Sequence, residues 1–157
     1  MLTIGLGPAA RILLCAASAC ALALPFTHPF GDVKAKSSTA PLAGVHPLIE
    51  RACQNCHSER TTWPAYSYLP LLSWAIEKDV AEGREHMNLT HWDSYSADEK
   101  GALLARIGTL VRGRQMPLPR YILLHPEARL SDEEVQAIYD WTREQRRILR
   151  DQVNRGE

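Results

Sequence analysis

The sequence predicts an all-α domain of about four helices joined by long loops. Ser96 and Ser131 each stand three residues before a glutamate, which is the capping-box spacing that begins a helix. The stretches that follow carry apolar residues at intervals of three and four, as the buried stripe of a helix does. No stretch alternates apolar and polar residues in the way of a half-buried strand, so we expect no β-sheet.

Prolines mark the first two helices. A helical pattern begins at Pro47 and runs towards a pair of cysteines, while Pro70 suits the first turn of a second helix that reaches Gly83. The second helix is expected to bury one apolar face, made of Leu71, Leu72, Ala75, Ile76 and Val80.

The third and fourth helices follow the two capping boxes. Gly113, a residue type that commonly ends helices, closes the third, and Leu130 with Val135 forms a hydrophobic staple at the start of the fourth. The third helix has the apolar stripe Leu103, Leu104, Ile107, Leu110 and Val111. The fourth has the stripe Val135, Ile138, Trp141 and Leu149.

Composition divides the chain into four segments. Residues 1–24 carry a single charged side chain and a short apolar run, which predicts a signal peptide or an N-terminal membrane anchor. Residues 25–45 are interrupted repeatedly by proline and glycine and predict a linker. The folded domain is expected at 46–150, and residues 151–157 are expected to form a tail.

The fate of the leader has three open interpretations. The sequence Ala21-Leu22-Ala23 offers a small-residue cleavage site, Cys20 stands in a loose lipoprotein box, and an uncleaved leader would remain as an anchor. All three place the domain outside the cytoplasm.

Charge and cysteine usage exclude several classes. The chain has 18 basic and 18 acidic side chains, so no global field draws it onto nucleic acid. Cys15 and Cys20 lie in the leader, which leaves Cys53 and Cys56 in the domain. One pair is too few for a disulfide framework, or for an iron–sulfur cluster held by four thiolates of this chain alone.

Cys53-Gln54-Asn55-Cys56-His57 has the pattern Cys-x-x-Cys-His of c-type haem attachment. The two thiols add across the two porphyrin vinyl groups, and the histidine that follows is held under the iron. We therefore predict one covalently attached haem c, with Cys53 and Cys56 as attachment points and His57 as the proximal ligand.

Two other interpretations of the cysteine pair are weaker. A thioredoxin-like dithiol requires a βαβ context, which the sequence does not predict. A zinc site that recruited His86 and His91 would need a gap of 29 residues after Cys56, well beyond the usual finger loop.

Met116 is our candidate for the second axial ligand. It follows a predicted helix and precedes Pro117, whose ring stiffens the loop and favours extended backbone at Met116. Filling a gap in the core is the alternative role for this methionine. The other candidates are Met87, His86, His91 and His125.

Aromatic residues between the cysteines and Met116 are expected to wall the cofactor, with ordinary core packing as the alternative. Arg84 is a candidate partner for a haem propionate through paired hydrogen bonds, but the sequence favours a plain solvated arginine. The three aromatic residues that we assign to the cofactor are Trp63, Tyr66 and Trp74.

Six ordered stretches within residues 46–145 resemble the haem-binding domain family of bacterial exported, cytochrome c-like proteins. The departures are Glu59-Arg60, Ala65 and Leu89-Thr90, and none touches an expected iron ligand. The resemblance implies a cytochrome c-like fold that wraps one haem c, with His57 and Met116 as ligands. The matching stretches are 53–58, 62–67, 70–74, 79–84, 88–92 and 116–126.

Two functions fit such a domain. With both axial positions filled by the protein, it would carry single electrons between redox partner proteins in the periplasm, either soluble or anchored to the inner membrane. With an open or displaceable sixth position, it would sense a small gas or handle peroxide. The sequence favours the non-enzymatic electron carrier and names neither its donor nor its acceptor.

Overall fold

The computed structural model describes residues 7–23, 30, 33–34 and 44–156. Throughout these ranges the regular elements are helices, which confirms the all-α prediction. The α-helices are α1 (Pro8–Ala23), α2 (Pro47–His57), α3 (Leu72–His86), α4 (Ala97–Arg112), α5 (Pro119–Leu124) and α6 (Asp132–Arg155). Short 3₁₀ helices lie at Ala65–Tyr68, Leu89–Ser94 and Pro126–Ala128.

Both predicted capping boxes are present. The hydroxyl of Ser96 accepts a hydrogen bond from the amide of Glu99 at 3.3 Å, and the Glu99 carboxylate accepts one from the Ser96 amide at 2.8 Å. Ser131 and Glu134 repeat this arrangement at 3.2 and 2.9 Å. These contacts satisfy amides that the first turn leaves without helical partners, and so they set where α4 and α6 begin.

The core lies between α4 and α6, and Ile49 and Ala52 of α2 belong to it as well. Gly108 of α4 permits this close approach, because a Cβ added there would lie 2.7 Å from the hydroxyl oxygen of Thr142 on α6. The apolar residues that meet in this core include Ile49, Leu104, Val111, Val135 and Ile138. The predicted stripes of α4 and α6 are therefore largely those that the fold buries, and Leu130 and Val135 both belong to the core.

The predicted apolar face of α3 is largely wrong. Leu71 is 67% exposed and precedes the helix, and Leu72 and Ala75 are also exposed. Ile76 is half-buried, and Val80 is the one member of the predicted face that is buried. The buried residues of α3 are instead Ser73, Glu77, Val80 and Gly83.

Residues 33–34, within the predicted linker, explain the polar character of that buried face. The Lys34 ammonium lies 3.2 Å from the carboxylate of Glu77, which is 1% exposed, and donates to the carbonyl of Ser67 at 2.8 Å. Val33 is buried as well. A buried carboxylate is tolerated when a cation accompanies it, so this short segment packs as part of the domain.

The two ends of the chain add further detail. Residues 8–23 of the predicted leader form α1, which is exposed along its length. No described helix is long and apolar enough to cross a membrane. Helix α6 continues through Arg155, so most of the expected tail is helical. The remaining residues of the predicted leader and linker lie outside the described ranges, apart from Gly7, Phe30 and residues 44–45.

Candidate functional site

A cavity of about 420 Å³ opens between α2, α3, α4 and the loop that joins α4 to α5. It brings together four residues that the sequence selected: Cys53, Cys56 and His57 from α2, and Met116 from the loop. The volume falls within the range of small-molecule and cofactor sites. Its apolar wall is made of Ala52, Met87, Leu103, Ile107, Leu110, Val111 and Leu118.

The two cysteines lie one helical turn apart and both face the cavity. No disulfide joins them. Burial, reinforced by Cys56, raises the pKa of Cys53 to about 12. Burial together with the charge of Asp79 raises the pKa of Cys56 to about 11. A catalytic dithiol needs a lowered thiol pKa, so this environment disfavours the thioredoxin-like interpretation.

His57 is oriented by the end of α3. Its Nδ1 atom lies 2.7 Å from the carbonyl oxygen of Gly83 and 3.3 Å from that of Met87. Because carbonyl oxygens only accept, Nδ1 carries the proton and Nε2 keeps its lone pair. Burial lowers the pKa of His57, which favours the neutral ring. This tautomer, held by backbone carbonyls, is the one that presents Nε2 to a metal.

Gly83 allows α3 to lie directly against α2. A Cβ added at this position would lie 2.5 Å from the carbonyl oxygen of Cys56 and 3.2 Å from its Cβ. The same residue supplies the carbonyl that orients His57. The contact that brings the two helices together therefore also sets the position of the imidazole.

Gly83→Ala is expected to destabilise the protein by about 1–3 kcal/mol, because the backbone of Cys56 must move to admit the methyl group. Gly101→Ala in α4 is the matched control, since a Cβ there meets nothing within 4 Å. That variant should gain roughly 0.5–1 kcal/mol from helix propensity. Urea unfolding of the two variants measures both changes, and equal stabilities would contradict the close contact at Gly83.

The loop that carries Met116 is tied to α4. The amides of Gln115 and Met116 both donate to the carbonyl of Leu110, at 2.9 and 3.3 Å. Arg114 has φ +55° and donates through its guanidinium to the carbonyl of Leu130 at 2.6 Å. The Met116–Pro117 peptide bond is cis. These contacts, all at or before Met116, hold the start of the loop against α4 and place Met116 at the cavity.

Three polar residues that line the cavity, Arg106, Arg120 and Tyr121, are not among the site residues predicted from the sequence. Arg120 forms a two-point ion pair with Asp79, in which its Nε atom donates to Oδ2 at 3.1 Å. Arg106 of α4 and Tyr121 of α5 also line the cavity. Basic residues are common on solvated helices, so their type alone did not distinguish them. Because Arg106 and Arg120 both line the cavity, they are the arginines that could meet carboxylates of a bound cofactor.

The three aromatic residues assigned to the cofactor do not line the cavity, and the aromatic residue that does is Tyr121. Tyr66 hydrogen-bonds His125, and the Trp63 ring lies 5.2 Å from the ammonium of Lys34. Trp74 is partly buried on α3, outside the lining. Tyr66 belongs to a 3₁₀ segment that packs against α3, and its hydroxyl is engaged by His125.

Two other sequence interpretations are revised. The Arg84 guanidinium donates to the carbonyls of Ser58 and Val33, both at 2.9 Å, so it holds the fold together and does not reach the cavity. His91 contacts Glu59 at 3.3 Å and lies outside the cavity, while His86 lines it. The zinc interpretation needs both histidines beside the cysteine pair, and the fold does not assemble them.

The residues at this cavity fit a c-type haem, since two thiols, an available imidazole Nε2 and a thioether share one apolar chamber. A relative is the cytochrome c peroxidase Ccp of Escherichia coli (strain K12), which is 30% identical over 102 residues. The similar region covers 63% of this chain and 22% of that protein, so the chain spans about a fifth of its length. No solved structure matches. The family model described as "Haem-binding domain" matches residues 26–144, and the chain therefore belongs to this haem-binding domain family.

Proposed function

We propose that this haem protein is an exported monohaem c-type cytochrome that carries single electrons in the periplasm. The observation that supports this proposal best is the convergence of Cys53, Cys56, His57 and Met116 on one cavity. Haem iron supplies one-electron exchange between its ferric and ferrous states. The protein's own residues then hold the cofactor, complete the iron coordination and limit the access of water.

Attachment is the role of the two cysteines. Their thiols lie on one face of α2 and are kept protonated by burial, so each is an S–H group beside the cavity. His57 follows directly in the same helix, with its Nδ1 proton held by two carbonyls of the α3 end. The proximal ring is thereby oriented before any cofactor binds, which lowers the entropic cost of coordination.

Met116 is proposed as the second axial ligand, in preference to His86 and Met87, which also line the cavity. His86 and Met87 belong to the α3 end that supports His57, so they approach from the side of the proximal ring. Met116 comes from a different element, the α4–α5 loop. A His/Met pair raises the reduction potential relative to two histidines, as suits a carrier with oxidising partners.

The wall of the cavity supports the same function. Leu103, Ile107 and Leu110 of α4 present apolar side chains, which exclude water and favour the less charged ferrous state. Arg106 and Arg120 line the cavity and are exposed, so they would place cations where carboxylates of the cofactor reach solvent. Arg120 would then share its guanidinium with Asp79. We propose redox proteins of the periplasm as partners. We propose no nucleic-acid partner, because the formal net charge of the chain is zero.

Peroxide handling is a second candidate, favoured by the similarity to part of a cytochrome c peroxidase. It requires the Met116 thioether to leave the iron, or never to bind it. Met116 is only partly buried and lies in a loop, so its displacement would not disrupt a helix. The spectroscopy of Met116 variants separates this function from electron carriage.

Mass spectrometry of the denatured protein tests covalent attachment directly. Protein matured in a host with haem-attachment machinery is expected to carry one haem per chain, retained in acid and detergent. Replacing both Cys53 and Cys56 with serine should abolish the added haem mass, whereas Cys15→Ser in the leader segment should leave it unchanged. An unmodified polypeptide mass from a competent host would contradict the proposed c-type site.

A further inference from the structure

Beside the cavity, three side chains from two distant segments form a continuous hydrogen-bonded array. The phenol of Tyr66 is hydrogen-bonded to Nε2 of His125. Nδ1 of the same imidazole lies 2.8 Å from the carboxylate of Glu127. The tyrosine belongs to the 3₁₀ helix that precedes α3, whereas His125 and Glu127 follow α5, so the array joins parts of the chain that are 59 residues apart.

The protonation states in this array follow from the Glu127 carboxylate at one end of it. Glu127 is largely exposed, and hydrogen bonds from its own backbone amide and from His125 lower its pKa, so the carboxylate is ionised at neutral pH. An ionised carboxylate only accepts, which places the histidine proton on Nδ1. Nε2 is then a free base that accepts the phenolic proton of Tyr66. The hydrogen bonds therefore run in one direction: the phenol donates to the imidazole, and the imidazole donates to the carboxylate.

A second tyrosine connects the array to the cavity. The Tyr121 ring stacks on the His125 ring, with centroids 4.3 Å apart and an interplanar angle of 17°. Tyr121 lines the cavity, and its hydroxyl accepts a hydrogen bond from the Asn55 amide at 2.7 Å. Asn55 lies between the two attachment cysteines. Aromatic contacts thus run without interruption from the cavity wall to Tyr66.

We propose that Tyr66 is a redox-active tyrosine. An outer-sphere one-electron oxidant of high potential removes one electron from the phenol, and the phenolic proton passes along the existing hydrogen bond to Nε2 of His125. The products are a neutral phenoxyl radical and an imidazolium whose charge lies against the Glu127 carboxylate. Uptake of one electron returns the proton to the oxygen and restores the starting state.

The surroundings of Tyr66 require the proton and the electron to leave together. Burial, with smaller contributions from Glu127 and Cys56, raises the pKa of the phenol, so it is not ionised at neutral pH. Electron loss alone would place a cation on a partly buried ring, which desolvation disfavours. A positioned base removes that cost, and His125 is such a base.

This chemistry gives the protein an outlet for an oxidising equivalent that arises in the cavity. The outlet role rests on the proposed haem function, but the redox activity of Tyr66 does not. Tyr121 and His125 lie between the cavity and Tyr66, so the equivalent would move outwards by short steps between aromatic rings in contact.

Flash photolysis of the ferric holoprotein tests the proposal. Tris(bipyridine)ruthenium(II) with persulfate generates the one-electron oxidant, and electron paramagnetic resonance identifies the trapped radical. We expect a tyrosyl signal that Tyr66→Phe removes. His125→Gln keeps a hydrogen-bond acceptor but lacks the base, so radical formation should slow by about a hundredfold, the lower end of what positioned proton transfer contributes.

Tyr68→Phe is the matched control, because this residue belongs to the same 3₁₀ helix and 58% of its surface is exposed. Its signal and rate should equal those of the wild type. An undiminished signal in Tyr66→Phe, or a wild-type rate in His125→Gln, would overturn the proposal. The haem mass and optical spectrum of the same samples report separately on the proposed cytochrome function.

Discussion

His57→Ala is expected to reduce the yield of haem-loaded protein by more than tenfold. Loss of a residue that only orients a metal ligand lowers metal affinity by about 10–100-fold, and His57 is the proposed ligand itself. The imidazole is fixed by its place after Cys56 and by the Gly83 and Met87 carbonyls. No other cavity side chain shares both constraints within the described residues. Pyridine-haemochrome absorbance per milligram of purified protein measures the loss.

His86→Ala is the matched control for this variant. His86 lines the same cavity from α3, yet it is not part of the attachment motif. Its replacement should leave the haem content close to that of the wild type. If His86→Ala loses the haem and His57→Ala accumulates with a normal low-spin spectrum, the proximal assignment is wrong.

Local signals predicted much of the fold because the interactions that they represent are themselves local. The capping boxes at Ser96 and Ser131 join residues three apart, and the apolar stripes of α4 and α6 describe single helices. The motif at residues 53–57 works in the same way, since its spacing alone places both thiols on one face of α2. None of these features depends on where distant segments pack.

The incorrect or missing predictions concern positions that are set by contacts between distant segments. Glu77 is buried on α3 because Lys34, 43 positions earlier, pairs with it, and no local pattern contains that contact. Tyr66 was assigned to the cofactor by its type, but its partner His125 comes from beyond α5. Arg120 acquires its place through Asp79 of α3. Each of these positions is decided by tertiary contacts.

Helix α5 was missed for a related reason. Its six residues, Pro119–Leu124, are too few to show a helical period. Leu123 and Leu124 are exposed, so no buried stripe marks the segment either. Proline at its first position is compatible with both a helix and a loop, and the sequence pattern predicts a loop there.

Met116→Ala should convert the ferric haem from low-spin to high-spin and admit carbon monoxide. Thioether sulfur is a soft, neutral donor that favours ferrous iron, so its loss should also lower the reduction potential, by an amount on the order of 0.1 V within the range that axial ligands span. Optical spectra and a redox titration measure these changes. Peroxidase side activity is expected to rise as the sixth position opens.

Two companion variants make this result specific. Met116→His should restore a low-spin spectrum at a lower potential than the wild type, because imidazole replaces the thioether. Met87→Leu is the matched control, since Met87 also lines the cavity but is buried in the core, and it should keep the wild-type spectrum. Proton NMR of the reduced wild type should show methionine methyl signals shifted strongly upfield by the ring current. If those signals are absent and the unmutated protein already binds carbon monoxide rapidly, the sixth position is open and peroxide or gas handling replaces electron carriage as the function.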